Sequence, residues 1–370
     1  MPPNQPQSIA MFVCGDVMTG RGVDQVLPHP GLPVLYESHI RDACDYVRLA
    51  EKASGPIPRP VDFGHIWGDA LEELHRADVR IVNLETCITS SDAAWPAKEV
   101  LYRMSPRNID CLTTARIDCC CLANNHVLDW GYAGLSETID SLDRAGIPHA
   151  GAGLNAARAA APAVLDIPGK GRVLVFSVGS TTSGIPHAWG ATCDRPGVHL
   201  LDDFSEQSVR RIGGQVREAK RPGDVVVASV HWGGNWGYAV PAEQIHFARG
   251  LIDEGVDLVH GHSSHHPKSL EVYRDHLILY GCGDFVDDYE GIRGYEEFRD
   301  ELRLAVTLEV DPKHGQLVEA RLVSLQVSRM RLERASDADA SWLCDLLNRV
   351  CAPFGTEVKM QPDNSLLLHW

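Results

Sequence analysis

The chain has 370 residues, 44% of them apolar, and a formal net charge of −16, so it can bury a large core under a strongly acidic surface. No basic stripe offsets that charge, which argues against nucleic acid and against an anionic membrane surface as partners. The 11 cysteines are odd in number and form no Cys-x-x-Cys pair, so neither a disulfide framework nor a thiolate zinc site is expected.

The first eight residues carry no basic region and no apolar core of signal length, and no apolar run approaches the ~18 residues of a membrane span. The expected location is cytoplasmic, with no membrane anchor in this chain. Residues 9–13 then read as a buried strand that closes on Cys14-Gly15-Asp16-Val17-Met18. From 24 to 65 six prolines surround one helical stretch near 39–53, the pattern of an insertion over a crevice. A helix over 69–77 leads into a strand over 79–84 that ends in Asn83-Leu84-Glu85, and a helix over 106–114 leads into a strand over 117–123 that ends in Asn124-Asn125-His126. In that strand Cys119 and Cys121 face one way and Cys120 the other, as small core residues.

A helix over 134–145, with Leu135, Ile139 and Leu142 on one face, stops at Gly146. After an Ala-rich stretch at 156–161 come strands over 163–167 and 173–178, a Ser/Thr/Gly-rich loop over 179–197 and a helix over 205–220. A strand over 225–230 closes on His231-Trp232-Gly233. The helix over 244–254 precedes a strand over 256–260 and the run Gly261-His262-Ser263-Ser264-His265-His266, and a strand over 277–280 precedes Gly283-Asp284-Phe285. The tail gives strands over 302–310 and 316–327 around a turn at 311–315, a helix over 338–350 and a strand near 366–369. No repeat or linker divides the chain. We therefore expect a single α/β domain over 1–370, with a core over about 8–330, the insertion over about 24–65 and a C-terminal extension over about 331–370.

Acidic, amide and imidazole side chains stand at the ends of successive apolar runs, and strand ends in α/β sheets point functional groups into one crevice. Gly15 lets the backbone turn sharply and frees the Asp16 carboxylate, which is otherwise a turn or cap residue. Glu85 has two oxygens able to hold one or two cations, or is an exposed strand-end acid. The Asn125 amide oxygen can coordinate a metal and the His126 imidazole can protonate a leaving oxygen. His231 ends a strand too apolar to leave an imidazole without a partner, and Trp232 beside it either gives the site an apolar wall or stacking face or packs in the core. Oxygen and imidazole donors without thiolates suit Mn²⁺, Fe²⁺ or Zn²⁺.

The set Gly-Asp-Val-Met-x-Gly-Arg (15–21), Asn-Leu-Glu (83–85), Ala-Asn-Asn-His-x-x-Asp-x-Gly (123–131), His-Trp-Gly (231–233), Gly-His-x-x-His (261–265) and Gly-Asp-Phe (283–285) resembles the CapA family. These are poly-gamma-glutamate capsule biosynthesis proteins of the calcineurin-like metallophosphoesterase superfamily, and the resemblance covers roughly residues 8–310. It implies a four-layer α/β/β/α sandwich of two mixed sheets, with one or two divalent metal ions held by Asp16, Glu85, Asn125, His231, His262 and His265. Within that scheme Asp16 and His265 serve the first ion, His231 and His262 the second. His260 and His266 are competing candidates, with His260 more naturally a hydrogen-bonded strand residue. The resemblance gives His126 a catalytic role and makes Asp129 the acid that orients it, although a helix-cap Asp has the same spacing. Arg21 either stabilises developing charge in the crevice or is a surface arginine. The superfamily has His where this chain has Met18, a poor ligand for hard cations, and the acid frequent after the His-Trp-Gly motif is replaced by Gly233-Gly234-Asn235. Asp284 is a candidate for support of a ligand.

The expected activity is a metal-dependent hydrolase acting on a phosphoester or related bond. A second expectation is a poly-gamma-glutamate biosynthesis protein that uses the same site for amide chemistry or assembly, and a third is a non-catalytic metal- or ligand-binding module. The substrate is then a small molecule or an anionic peptide polymer.

Overall fold

In the computed structural model, which describes residues 8–370, two sheets stack face to face. The first has ten strands. Its main path runs Glu357–Met360, Ser365–His369, Leu317–Ser328, Leu302–Val310, Ile9–Val17, Val79–Leu84, Cys119–Cys121, His149–Ala150. The last four are mutually parallel and the others antiparallel, so the sheet is mixed. The second sheet has seven strands, with Gly171–Ser180, Asp224–His231, Leu258–His262 and His276–Leu279 parallel at its centre. Leu270–Tyr273 and Ala163–Ile167 close it as antiparallel strands.

Side chains alternate across a strand, and that alternation sorts the apolar residues into three clusters. Ile9, Met11, Val13, Val79, Ile81, Cys119 and Cys121 of the first sheet meet Val173, Val175, Val225, Val227, Leu258 and Leu277 of the second between the sheets. Phe12, Val82, Leu84 and Cys120 face outward against Leu74, Leu112, Leu135 and Leu142 from helices. On the far side Leu174, Phe176, Val226 and Val259 are covered by Ile212, Val216, Phe247 and Leu251 of the helices Glu206–Ala219 and Ala242–Asp253. The layers are thus α/β/β/α. The cysteines split as their parity requires, with Cys120 on one face and its two neighbours on the other.

The 24–65 segment packs in the outer layer. Its helix, Cys44–Ser54, begins later than the sequence pattern suggested and buries Tyr46, Val47 and Ala50 in the outer layer. The expected 106–114 helix is a single 3-10 turn, Pro106–Asn108, followed by Asp110–Thr114. Beyond residue 330 the chain extends the first sheet along the edge of Leu317–Ser328 that Leu302–Val310 leaves free, with Arg331–Arg334 paired at its C-terminal end and Ser365–His369, then Glu357–Met360, beside its middle.

Candidate metal centre and catalytic cleft

Odd-numbered residues of Asp224–His231 and even-numbered residues of Leu258–His262 face the inter-sheet space, so continuing each strand to its C-terminal end places Ser229, His231, His260 and His262 there. Asn83 and Glu85 continue the inward parity of Val79 and Ile81. Asp16 does not, since it shares parity with the outward-facing Phe12. The ladder between Ile9–Val17 and Val79–Leu84 shifts register between Val13 and Asp16, and this irregularity re-aims the carboxylate inward. Gly15 makes it possible, because a Cβ there would lie 1.6 Å from the carbonyl oxygen of Gly283.

Asp16, His231 and His262, all buried, bring one ligand atom each to within 4.8 Å of one another. The Nδ1 atoms of the two imidazoles are 2.8 Å apart, and His262 Nδ1 is 3.7 Å from Asp16 Oδ1. Each ring is fixed from behind: His262 Nε2 lies 2.7 Å from Ser229 Oγ, and His231 Nε2 lies 2.8 Å from Asn125 Oδ1. The Asn83 amide donates to Asp16 Oδ1 at 2.7 Å and to Glu85 Oε2 at 3.3 Å, while its own oxygen accepts from Asn124 at 3.0 Å. Ser263 N donates to Asp16 Oδ2.

His231 also faces a second set of donors. Glu85 Oε1 stands 3.9 Å from His231 Nε2 and 3.7 Å from His126 Nε2. His126 Nδ1 is 2.6 Å from Asp129 Oδ2, and that same carboxylate oxygen accepts the Tyr102 N–H. Lys98 Nζ donates to Asp129 Oδ1 at 2.5 Å and stands 3.0 Å from His126 Nδ1. Glu85, Lys98, Asn125, His126, His265 and Tyr289 line a cavity of about 260 Å³.

Of the remaining sequence candidates, His265 lines this same cavity and the others do not. His265 is not part of the Asp16–His231–His262 cluster; its Nδ1 lies 2.9 Å from both oxygens of Asp284. Arg21 does not reach the cavity. Its guanidinium spends its donors on Asp288, Glu37 and Tyr46, stacks over Tyr46 at 3.8 Å, and faces neither the crevice nor the surface. Met18 is buried with its sulfur 3.6 Å from the Tyr289 hydroxyl. His260 is a strand residue bonded to the Cys14 carbonyl at 2.6 Å, and Trp232 packs against Tyr280, Phe204 and Phe247. Lys98, Asn83 and Ser229 carried no role in the sequence reading. Asn83 lay inside a motif, whereas Lys98 sits in a loop with no apolar run to mark it.

The electrostatics of this cluster favour a cation. Burial and the neighbouring Asp284 raise the Asp16 pKa to about 7, and burial with Asp16 raises Glu85 well above the carboxylate range. Burial and neighbouring histidines push His231 and His262 well below the usual imidazole value, so both stay neutral with lone pairs available. Burial opposes charge on His265, but Asp284 and Asp16 outweigh it and raise its pKa. For His126 burial dominates, Lys98 adds to it, Asp129 opposes, and the pKa falls to about 4. Carboxyls driven to hold protons beside imidazoles driven to stay neutral are the donor set a divalent ion relieves, and nitrogen and oxygen donors without sulfur match a borderline-to-hard metal.

Comparison with known proteins agrees with the family resemblance. A relative from Mycobacterium tuberculosis, described as a "probable polyglutamine synthesis accessory protein", is 49% identical over 98% of this chain and 96% of its own length. The capsule biosynthesis protein CapA of Bacillus anthracis is 24% identical over 90% of this chain and 74% of its own. A solved structure titled as a novel phosphatase from Mycoplasma pneumoniae covers 87% of this chain and 95% of its own at 11% identity and a TM-score of 0.47, a likeness that says nothing about activity. No helix among the described residues is long and apolar enough to cross a membrane. With residues 10–289 matching it, the chain belongs to the bacterial capsule synthesis protein PGA_cap family.

Proposed function

We propose that this protein is a divalent-metal-dependent hydrolase acting on a phosphoester or a related bond. The observation that carries the reading is the convergence of Asp16, His231 and His262 within 4.8 Å, directly beside the His126–Asp129 pair. Asp16, His231 and His262 would hold one ion, and Glu85 and Asn125 face the place for another; Mn²⁺, Fe²⁺ and Zn²⁺ suit these donors. A bound ion supplies Lewis acidity that polarises the bond under attack. The protein's own groups do the rest. Asp129 fixes the His126 ring, leaving Nε2 turned toward Glu85 and the cavity, where the ring, once it has taken up a proton, can hand it to a leaving oxygen. Asn125 positions His231, and Tyr102 donates its backbone N–H to Asp129 to hold that carboxylate still.

A second reading is favoured by the relatives' names: the same centre acts on an anionic γ-glutamyl polymer, by amide cleavage or in its assembly. Turnover of a phosphomonoester, a phosphodiester and a γ-glutamyl peptide, each with Mn²⁺, separates the two. Phosphoester turnover without peptide cleavage supports the first; peptide cleavage alone replaces it with the second; turnover of none removes both catalytic readings for these bonds.

A further inference from the structure

Away from the cleft a larger cavity, of about 610 Å³, opens between the helices Ala156–Ala160 and Glu206–Ala219 and the edge strand Leu200–Leu201. It shares no lining residue with the catalytic cavity. Its lining has an unusual charge for so acidic a chain: Arg195, Arg211, His187 and His199 against one acid, Asp202. Neither arginine has an ion-pair partner among the described residues, although most arginines of this protein do. Each makes only a hydrogen bond to a backbone carbonyl, Arg195 to Gly190 at 3.1 Å and Arg211 to Leu200 at 3.4 Å.

We propose that this cavity binds a small anion, a phosphate- or carboxylate-bearing metabolite. The two guanidiniums take the anionic oxygens, as planar forks suited to either group. The volume lies in the range of metabolite sites. The proposal does not depend on the metal centre, so either can fail alone.

The test is calorimetric titration of the whole protein with inorganic phosphate and, separately, with glutamate, in wild type and in Arg195→Gln, Arg211→Gln and the double variant. Because neither side chain holds an ion pair, each substitution costs the fold only one hydrogen bond to a backbone carbonyl. Saturable binding of at least one probe, weakened about 10-fold or more in the double variant, is expected from the loss of charge-assisted hydrogen bonds. Phosphate alone marks a phosphorylated ligand and glutamate alone a carboxylate. Binding of neither probe, or binding equal in wild type and double variant, overturns the proposal.

Discussion

If the carboxylate of Asp16 is held where an ion belongs, its charge should destabilise the metal-free protein in a pH-dependent way. Its pKa rises from an ordinary 3.8 to about 7, so between those values the folded state keeps a proton that the unfolded state has lost. Stability then falls as pH rises, by at most ~1.4 kcal/mol per unit, and levels off above pH ~7. Between pH 5.5 and 7.5 the loss integrates to about 2 kcal/mol, and for a chain of this length that is a Tm change of roughly 2–3 °C. The buried histidines act with the opposite sign. His126, His199, His260 and His266 have pKa values near 4, so their neutral forms favour folding above the usual imidazole pKa and lose that contribution as pH drops toward 4. They cancel in the comparison of wild type with Asp16→Asn, both stripped with chelator and melted across this range. The variant also loses an acceptor for Asn83 or Ser263, a cost that does not vary with pH and drops out of the slope. The Tm of wild type minus that of the variant should fall by 2–3 °C from pH 5.5 to 7.5, and Mn²⁺ should reverse the trend for wild type only. Parallel Tm curves with and without the carboxylate would refute the reasoning.

Other consequences follow from single contacts. Lys98→Met removes the cation that lies between Asp129 and His126 Nδ1; about a 10²-fold drop in kcat with unchanged metal content is expected from a mispositioned proton donor, read by steady-state kinetics and elemental analysis. Arg21→Met leaves the fully buried Asp288 without its partner, which should lower stability by about 3–5 kcal/mol in urea titration; an effect on turnover with no effect on stability would instead place Arg21 at the substrate. Gly15→Ala forces a Cβ into the Gly283 carbonyl and should prevent soluble expression or abolish metal retention, checked on purified protein.

Much of the fold was legible because parallel strands buried on both faces leave continuous β-branched runs, as at Val79–Leu84 and Asp224–His231. Edge strands leave no such trace. Arg331–Arg334 has one buried apolar residue and Glu357–Met360 likewise, so neither stood out from loop. At the site, the residue types were readable from strand ends, but their partners were not. Nothing local tells Asp16 to turn toward His262, because a register shift sets that direction, and nothing local places Lys98 against Asp129 across a separation of 31 residues. Arg21 looked like a crevice cation from its spacing to Asp16; the tertiary fold instead supplies Asp288 from 267 residues away to neutralise it.

The central claim is that Asp16, His231 and His262 form a cation site with His126 acting beside it. Elemental analysis of purified wild type, His231→Ala and His126→Ala, with turnover measured on the same samples, addresses it directly. The account predicts at least one divalent ion per wild-type chain, loss of both ion and turnover in His231→Ala, and loss of turnover with the ion retained in His126→Ala. Equal ion content in wild type and His231→Ala would contradict it.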